Sequence, residues 1–350
     1  MHLEQESGKP QLMKRMNTTL IYQTLAVLGD ATRAEIVEQT SLSTTTVRTL
    51  LEELLRDGEI VPLNYDQSSG GRRALRYALD ADKNLILSFY LEEPYIHYRL
   101  QSLSGLVKKE GKEALPDRRA ESVVRHIERI CREQDLCAIG LGVPGIVDNG
   151  HYYVSSGFNL WEIDSLGVKL EEAFSLPVIL ENDLNSIAVG FGLRYAREHP
   201  SCPFDSINMA YIHFNEGCMG TGIISDGRIV KGANQFAGEL GFLPIAPNKM
   251  IADLLVTSDR TEMEHIIART IAVLCCVVNP SFVVIGGRKY RAMQINPDDV
   301  RSIADQYIFE KVMPLIISSD NEREDYLSGL YHLTREYILP KLPLSKESPS

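Results

Sequence analysis

Residues 214–241 read FNEGCMGTGIISDGRIVKGANQFAGELG, and this stretch decides the fold. Short apolar runs alternate in it with glycine turns, a pattern typical of strands joined by tight loops. Its first part has the form of a glycine-rich phosphate loop into which a glutamate, Glu216, has been placed. A fixed negative charge costs an adjacent phosphate about 1–4 kcal/mol at a partly exposed site. The stretch therefore predicts a nucleotide-binding turn that keeps its backbone path and has lost its anion site.

Strand and helix patterns continue on both sides of this stretch. Residues 138–148, AIGLGVPGIVD, form a buried-strand pattern that runs into a Gly/Pro turn. Residues 277–287, VVNPSFVVIGG, read as a helix end, a strand and a Gly-Gly turn, after a long helical pattern over 262–278. Alternation of this kind predicts an α/β fold.

Polar side chains end another strand pattern, LPVILENDLN at residues 176–185. Carboxylate and amide groups at the end of a parallel strand usually face a ligand crevice. Asn182 and Asp183 therefore have two interpretations: they contact a ligand, or they cap a helix that begins near Ser186.

Residues 17–80 have a different organisation, with short helical patterns. The first helix is expected to end at Gly29, and the second helix is expected to have Thr32 as its N-cap. The third helix is expected to begin after its N-cap Ser43 and to end at Gly58. The apolar residues at helical spacing are Leu20, Ile21, Leu25 and Leu28 in the first helix and Val47, Leu50, Leu51, Leu54 and Leu55 in the third. EIVPLNY and ALRYALD, on either side of DQSSGGRR, predict a hairpin, so the whole reads as a winged helix-turn-helix.

The start of the third helix and the tip of the hairpin carry residues suited to DNA. Small hydroxyls and one arginine on the helix can reach phosphates or base edges in a major groove: Thr44, Thr45, Thr46 and Arg48. Arg72 and Arg73, at the hairpin tip, suit phosphate or minor-groove contact. Residues 1–83 hold ten Lys and Arg against twelve Asp and Glu, so a protein-only interaction module is the alternative.

Composition narrows the class of protein. The 350 residues have a net charge of −11 and 44% hydrophobic content, which indicates two or three domains and argues against indiscriminate nucleic-acid binding. No apolar run reaches the ~18 residues of a membrane span, and residues 1–17 lack a signal-peptide core, so we expect a cytoplasmic protein with no membrane partner. None of the six cysteines forms a C-x-x-C pair, which predicts buried free thiols and no structural zinc.

The motifs GVPGIVD, LENDLN, GTGIISDGRIVKGANQFAGELG and NPSFVVIGG, in this order, resemble the ROK family of bacterial sugar kinases and sugar-responsive repressors. The resemblance covers essentially the whole chain, and Gly70–Gly71–Arg72 is similar to the wing of the repressor branch. It implies a winged helix-turn-helix followed by a two-lobed, actin-like (ribonuclease H-like) sugar-kinase fold. We expect a DNA-binding domain at 1–82, lobes at 83–200 and 201–340, and a disordered tail at 341–350.

The same resemblance implies roles for single residues. Asp183 stands where family kinases keep the general base for the sugar hydroxyl, and Asn182 and Glu239 stand where sugar hydroxyls are bound. Gly145 and Ser156 match further sugar-contact positions. A carboxylate that accepts two hydroxyls suits a sugar even without catalysis.

The chain departs from the family kinases at both phosphate loops, D-x-G-G-T and G-T-G-x-G-x-G. The replaced positions are Tyr90, Glu92, Glu93 and Pro94 in the first loop and Glu216 and Cys218 in the second. Carboxylates repel a triphosphate and a proline removes an amide donor, while Gly220 and Gly222 let the second turn form.

The family's zinc motif is missing as well. Phe242 takes the place of its histidine, and FLPIAPNKMIADLLV follows without a cysteine and without the glutamate that ends the motif as a sugar ligand. Gly286 and Gly287 keep the turn that lies near the adenine in kinases, and packing is its expected role here. We therefore expect no metal and no cofactor.

The sequence thus predicts a DNA-binding transcriptional regulator, a repressor of carbohydrate metabolism, whose kinase-dead ROK domain senses a sugar or sugar phosphate. Its expected partners are operator DNA, that effector and further copies of itself in a homodimer or higher homo-oligomer. Two alternatives stay open: an active ROK sugar kinase, and a regulator controlled by a protein partner.

Overall fold

The computed structural model describes residues 8–65, 74–92, 94–115, 117, 119–148, 151–156, 159–215, 218–256 and 258–341. The helices and strands from α1 to β11 are α1 (Gly8–Leu28), β1 (Asp30–Thr32), α2 (Arg33–Thr40), α3 (Thr44–Arg56), β2 (Ile60–Tyr65), β3 (Leu75–Leu79), β4 (Leu85–Glu92), β5 (Tyr95–Gln101), β6 (Val107–Ala114), α4 (Ala120–Ile130), β7 (Leu136–Val143), β8 (Ile146–Asp148), β9 (His151–Ser156), β10 (Asn159–Asp164), α5 (Leu166–Phe174) and β11 (Val178–Asn182).

The elements that follow are α6 (Asp183–Glu198), β12 (Met209–Asn215), β13 (Cys218–Ser225), β14 (Arg228–Ile229), β15 (Pro244–Ala246), β16 (Lys249–Met250), α7 (Ile251–Leu255), α8 (Arg260–Val277), β17 (Phe282–Gly286), α9 (Arg288–Ala292), α10 (Pro297–Ala304), β18 (Leu315–Ser318) and α11 (Glu322–Ile338). Single 3₁₀ turns lie at Phe204–Ser206, Leu240–Phe242, Glu310–Val312 and Leu339–Lys341.

The chain separates into two compact units. One contains Met1–Leu141, Leu166–Ile179 and Leu333–Ser350, and the other contains Gly142–Ser165 and Leu180–His332. The boundaries 1–82, 83–200, 201–340 and 341–350 remain predictions, and residues 342–350 of the expected tail lie outside the described residues.

The first part of unit one is a winged helix-turn-helix whose helix starts follow from local capping. Thr32 caps α2 in a capping box with Glu35, and the Ser43 side chain accepts the Thr46 amide at the start of α3. The buried face of α3 consists of Val47, Leu50, Leu51 and Leu54. Strands β2 and β3 pair in an antiparallel manner and form the predicted hairpin. Strand β1, which was not predicted, pairs with β3 and completes a three-stranded sheet in the order β1-β3-β2.

Three of the apolar residues named at helical spacing lie elsewhere than predicted. Leu20 is exposed, because α1 buries Ile21, Tyr22 and Leu25 on the opposite face, and Leu28 is exposed because it is the last residue of the helix. Leu55 is only half-buried, because it lies at the edge of the α3 stripe. The hairpin tip at 66–73, with Arg72 and Arg73, lies outside the described residues.

Unit one also contains a five-stranded sheet in the order β11-β7-β4-β5-β6. Strands β4, β5 and β6 are consecutive antiparallel neighbours. The residues of β4 from Leu85 to Tyr90 are all buried, as expected for a strand covered on both faces.

The second unit is built on a sheet in the order β14-β13-β12-β17-β18. Strands β12, β17 and β18 are parallel, and β13 is antiparallel to β12. Alternate residues of β12 face opposite layers: Ala210, Ile212 and Phe214 join a core with α8, while the Tyr211 ring contacts Phe191 of α6 at 6.0 Å between centroids. Helices therefore cover both faces of this sheet, which explains its continuous apolar strands.

The glycines of the altered loop have a packing role in this sheet. A Cβ at Gly222 would lie 2.2 Å from the Leu184 carbonyl oxygen and 2.6 Å from the Ala188 Cβ, so only glycine lets α6 approach β13 this closely. A Cβ at Gly220 would lie 2.4 Å from a Leu184 methyl group. Glu216 lies outside the described residues. The persistence of the two glycines is thus explained without a phosphate.

The six cysteines are free, as predicted, but their expected burial is wrong for two of them. Cys131 is buried, whereas Cys218 and Cys276 are exposed, the latter on the outer face of α8. Among the described residues no helix is both long and apolar enough to cross a membrane.

Candidate ligand site and nucleic-acid interface

A tight polar pocket lies in the second unit, where β11 passes into α6. It is lined by Val147, Glu181, Asn182, Leu184, Asn185, Thr221, Gln235, Ala237 and Glu239. The described side chains leave room for about one water molecule. Two carboxyls, three side-chain amides and one hydroxyl converge here, a set that matches a ligand rich in hydroxyl groups.

Asn182 both caps α6 and lines the pocket. Its Oδ1 accepts the Asn185 amide at 3.0 Å, and its Nδ2 donates to the Gly145 carbonyl at 2.8 Å. The helix begins at Asp183, so the expected start near Ser186 is wrong by one turn, because the cap lies at the strand end itself. The capping interpretation is correct for Asn182, and its role as a ligand contact stays a prediction.

Glu181 anchors the same strand end through a partner that the sequence analysis did not name. Its buried carboxylate pairs with Lys231 at 2.5 Å between Nζ and Oε2. The other oxygen, Oε1, accepts from the Asn185 side chain and from the Asn182 amide, both at 3.0 Å. The lysine thus compensates a buried charge and fixes Asn182 and Asn185 at the mouth of the pocket.

The environment raises the pKa of two carboxyls at this site. Burial, and then the charge of nearby Asp183, raises the pKa of Glu239. Burial also raises the pKa of Asp183, against the opposing effect of His213 and of the Leu184 amide, which Asp183 Oδ1 accepts at 2.8 Å. A carboxyl with a raised pKa is more readily protonated, and it can then donate a hydrogen bond as well as accept one.

The structure brings some of the predicted ligand residues together and separates others. Asn182 and Glu239 line one pocket, Asp183 lies close enough to influence Glu239, and Gly145 takes part through its carbonyl oxygen. Ser156 ends β9, and its side chain lies outside the described ones. Sequence reasoning missed three of the polar residues involved, namely Lys231, Thr221 and Gln235.

A second polar cluster surrounds the Gly286–Gly287 turn. The Glu322 carboxylate accepts the Gly287 amide, contacts Arg291 at 2.8 Å and contacts His213 Nε2 at 3.3 Å. Burial opposes ionisation of Glu322, but hydrogen bonds from His213 and Arg291 outweigh it and lower the pKa to about 2. Gly287 has φ +105°, and a Cβ there would lie 2.0 Å from the Phe214 carbonyl oxygen, so the turn needs glycine for packing.

The first altered phosphate loop lies at the β4–β5 hairpin of unit one. The Tyr90 ring stacks on His97 at 4.7 Å between centroids, and the Glu92 carboxylate lies 3.1 Å from His97 Nε2. Glu93 lies outside the described residues, and the Pro94 carbonyl accepts the Leu115 amide. Aromatic stacking and the contact between Glu92 and His97 therefore link the two strands of the β4–β5 hairpin.

Phe242, which the sequence places at the position of the family's zinc-motif histidine, makes an aromatic contact. The Phe242 ring packs on Phe236 at 5.5 Å between centroids. Within the described ranges no group of three or more His, Cys, Asp or Glu has the proximity a metal site requires.

The candidate nucleic-acid interface is the start of α3. Thr44, Thr45 and Arg48 are exposed, and Arg48 makes only a long, exposed contact of 3.8 Å with Glu52. The Thr46 hydroxyl is 2.8 Å from that of Ser43, so Thr46 supports the cap in addition to any outward role. These four residues and Arg72 and Arg73 remain predicted DNA contacts.

Comparison with known proteins shows what residues 106–253 and the wider chain are similar to. The model of the ROK family matches residues 106–253. The xylose repressor of Caldicellulosiruptor bescii is 28% identical over 249 residues, which is 68% of this chain and 61% of that repressor. The transcriptional dual regulator NagC of Escherichia coli K12 is 26% identical over 253 residues, 69% of this chain and 60% of NagC. The chain thus spans about three fifths of the length of the curated relatives it matches.

Solved structures agree with the fold. A ROK-family transcriptional regulator, described as a homologue of the Escherichia coli MLC protein, superposes with a TM-score of 0.70 at 17% identity, covering 94% of this chain and 98% of its own. The ROK hexokinase of Thermus thermophilus superposes with a TM-score of 0.56 at 19% identity, covering 73% of this chain and 99% of its own. Residues 106–253 of the chain thus match the ROK family model, and the chain has the actin-like α/β fold of these solved ROK-family structures.

Proposed function

We propose that this protein is a cytoplasmic DNA-binding transcriptional regulator, a repressor of carbohydrate metabolism, whose ROK domain senses a sugar and does not phosphorylate it. The observation that carries the proposal is the exposed amino-terminal turn of α3. This turn is capped by Ser43, and its helix is fixed by a buried apolar face beside a β hairpin. A helix held in this way, with hydroxyls and one arginine facing outward, fits a major groove. The relatives named as a xylose repressor and as a DNA-binding transcriptional dual regulator support the same conclusion.

The proposal that the ROK domain is not a kinase is supported by two carboxylates at former nucleotide positions. Glu322, whose pKa is lowered to about 2, is ionised at neutral pH and already accepts the Gly287 amide. Glu92 adds a carboxylate at the first loop. A nucleotide phosphate brought beside Glu92 would meet a like charge, and Glu322 already occupies the Gly287 amide at the turn that lies near the adenine in kinases.

The proposal that the domain senses a sugar is supported by the chemistry of the polar pocket. Asn182, Asn185, Thr221 and Glu239 offer donors and acceptors at short range, in a space with no large apolar wall. Two carboxyls with raised pKa favour a ligand without negative charge, because an anion would add to their mutual repulsion. An uncharged polyhydroxy compound therefore fits this pocket better than a sugar phosphate does.

The DNA-binding proposal predicts that Arg48→Ala weakens binding to a selected operator by about tenfold or more. The arginine is exposed and makes no short ion pair, so its removal leaves the fold intact. The operator is first obtained by selecting duplexes from a random pool with the full chain, and affinity is then measured by fluorescence anisotropy at several salt concentrations.

Arg56→Ala is the matched control, because Arg56 is an exposed arginine at the far end of the same helix. We expect it to change affinity less than about twofold. The double variant Arg72→Ala, Arg73→Ala is expected to weaken binding and to reduce its salt dependence. Equal affinity of Arg48→Ala and Arg56→Ala at every salt concentration would argue for the protein-only module.

The sensing proposal predicts that one neutral sugar raises the melting temperature of the full chain and that Glu239→Gln removes most of this shift. A panel of sugars and sugar phosphates is screened by differential scanning fluorimetry. Glu310→Gln, at an exposed glutamate of the same unit, is the control and keeps the wild-type shift. A flat screen would favour control by a protein partner.

An active sugar kinase is the second candidate, because Asp183 and Glu239 are present and lie near each other. Coupled detection of ADP with the same sugar panel decides between the two. Turnover that disappears in Asp183→Asn would establish the kinase and overturn the sensing proposal.

A further inference from the structure

Gln235, which lines the polar pocket, has a backbone conformation that glutamine rarely adopts. Its φ is 56°, in the left-handed region that glycine enters freely and that longer residues avoid. Among the described residues that line this pocket, no other non-glycine residue has a positive φ. Because unfavourable backbone conformations collect at ligand sites, this glutamine is a candidate for a role in binding.

The loop that carries Gln235 is fixed at both ends, so the backbone keeps this conformation. At its start, the Lys231 ammonium pairs with the buried carboxylate at the end of β11, and the Lys231 carbonyl accepts the Ala237 amide at 3.2 Å. At its end the loop lies against β13, where a Cβ at Gly238 would be 2.0 Å from the Thr221 carbonyl oxygen. The two anchors thus hold Gln235 at the pocket although its backbone conformation is unfavourable.

The side-chain amide of Gln235 is available to a ligand, whereas the other two side-chain amides of the pocket already have partners. Asn182 accepts the Asn185 backbone amide and donates to the Gly145 carbonyl. The Asn185 side chain donates to Glu181 at 3.0 Å. No described residue forms a hydrogen bond with the Gln235 side chain. An amide offers two donors and one acceptor, so this one can bind a hydroxyl group without giving up a bond to the described part of the protein.

The length of Gln235 also limits the space on the loop side of the pocket. The loop contributes three lining residues, Gln235, Ala237 and Glu239. Ala237 has only a methyl group, and Glu239 is a predicted ligand contact. The described side chains leave room for about one water molecule, so a sugar can enter only if a side chain moves. Gln235 is half-buried, long and flexible, and it is therefore the side chain that yields most easily.

We propose that Gln235 is the specificity-determining residue of the sensing site. Its side chain excludes ligands larger than a neutral monosaccharide, and its amide hydrogen-bonds one hydroxyl of the ligand while Glu239 accepts from another. The inference rests on the proposed function, since it names the side chain that selects among neutral sugars. Selection then lies in a strained loop residue and not in the strand end at Asn182.

Two substitutions separate the size of Gln235 from its amide. Gln235→Gly removes both and suits a positive φ, so the loop keeps its path and the melting temperature without ligand does not fall. Gln235→Met keeps a flexible side chain of similar length and removes only the amide. The matched control is Asn248→Gly, because Asn248 has a φ of 59° but is exposed and lies outside the pocket.

The sugar panel, extended with disaccharides, is screened against the full chain by differential scanning fluorimetry, and dissociation constants are measured by isothermal titration calorimetry. We expect both Gln235 variants to bind the wild-type sugar about tenfold more weakly, because a hydrogen bond is lost. Only Gln235→Gly should bind larger sugars that the wild-type chain rejects. Asn248→Gly should keep the wild-type ligand range and an affinity within about twofold.

The outcomes separate this inference from the sensing proposal. A Gln235→Gly variant with the ligand range of the wild type, or a Gln235→Met variant with unchanged affinity, would overturn the inference and leave sensing intact. A thermal shift that appears only in Gln235→Gly, and is lost when Glu239→Gln is added, would support it, because the glutamine then blocks this pocket. The absence of a shift in the wild type and in every variant would refute the sensing proposal and the inference together.

Discussion

Asp325→Ala is expected to lower the free energy of unfolding by about 3 kcal/mol, since it leaves the partly buried Arg194 guanidinium with only a 3.8 Å contact to Glu198. Asp325 is 1% exposed and binds the Arg194 guanidinium through both oxygens, at 2.8 and 2.9 Å. The guanidinium also lies 4.8 Å from the centre of the Phe191 ring, so it has little access to water. Urea unfolding at neutral pH, followed by circular dichroism, measures the loss.

This ion pair joins α6 to α11 where the two helices come closest. A Cβ at Gly190 would lie 1.7 Å from the Asp325 carbonyl oxygen, so the backbones are in direct contact. Because α6 starts at the Asn182 cap, loosening this crossing also disturbs the polar pocket. We therefore expect Asp325→Ala to weaken any sugar-induced thermal shift as well.

Asp320→Ala is the control for the ion pair, because Asp320 is an exposed aspartate shortly before α11. Its effect on stability is expected to stay within about 0.5 kcal/mol. In a double-mutant cycle, Arg194→Ala with Asp325→Ala should cost clearly less than the sum of the single changes. Additive single effects would show that the two side chains do not stabilise each other.

Glu322→Gln is expected to cost about 3 kcal/mol of stability at neutral pH and progressively less in acid. In the folded chain the pKa of Glu322 is lowered to about 2 from an ordinary value of 4.5. A carboxyl with a lowered pKa stabilises the fold fully above its unfolded pKa, and this contribution is lost as the pH falls through the folded pKa. The difference between wild type and variant should therefore shrink from about pH 4.5 down to about pH 2.

The measurement is the stability difference between wild type and Glu322→Gln in urea at pH 7, 4 and 3. Glu336→Gln is the control, because Glu336 is an exposed glutamate on the same helix. A difference between wild type and Glu322→Gln that is independent of pH would show that the carboxylate is not held ionised by His213 and Arg291.

Sequence patterns predicted the elements whose signals are local. The caps Thr32 and Ser43 and the hairpin strands follow from hydrogen bonds between residues a few positions apart, and the structure confirms them. The strand end at Asn182 was located correctly, but the helix start was displaced by one turn. A helix cap and a ligand contact both need a polar side chain at the strand end, so the sequence could not tell which of the two roles Asn182 has.

The errors concern faces and distant partners. Helix α1 is apolar on two sides, so periodicity alone could not decide that Leu20 lies on the exposed side, or that Leu28 is exposed at the end of the helix. The pairing of Lys231 with Glu181 joins residues 50 positions apart, and that of Glu322 with Gly287 joins residues 35 positions apart. Neither pairing has a local signal.

The sequence by itself determined the helix caps, the hairpin strands and the resemblance to a family, because each of these depends on residue types at short spacing. Only the tertiary structure showed that close packing requires glycine at positions 220 and 222. It also showed which buried carboxylates pair with a cation and which face of α1 is exposed. The physical reason is that burial and charge compensation are properties of surfaces in contact. These contacts form between segments that the chain brings together only on folding.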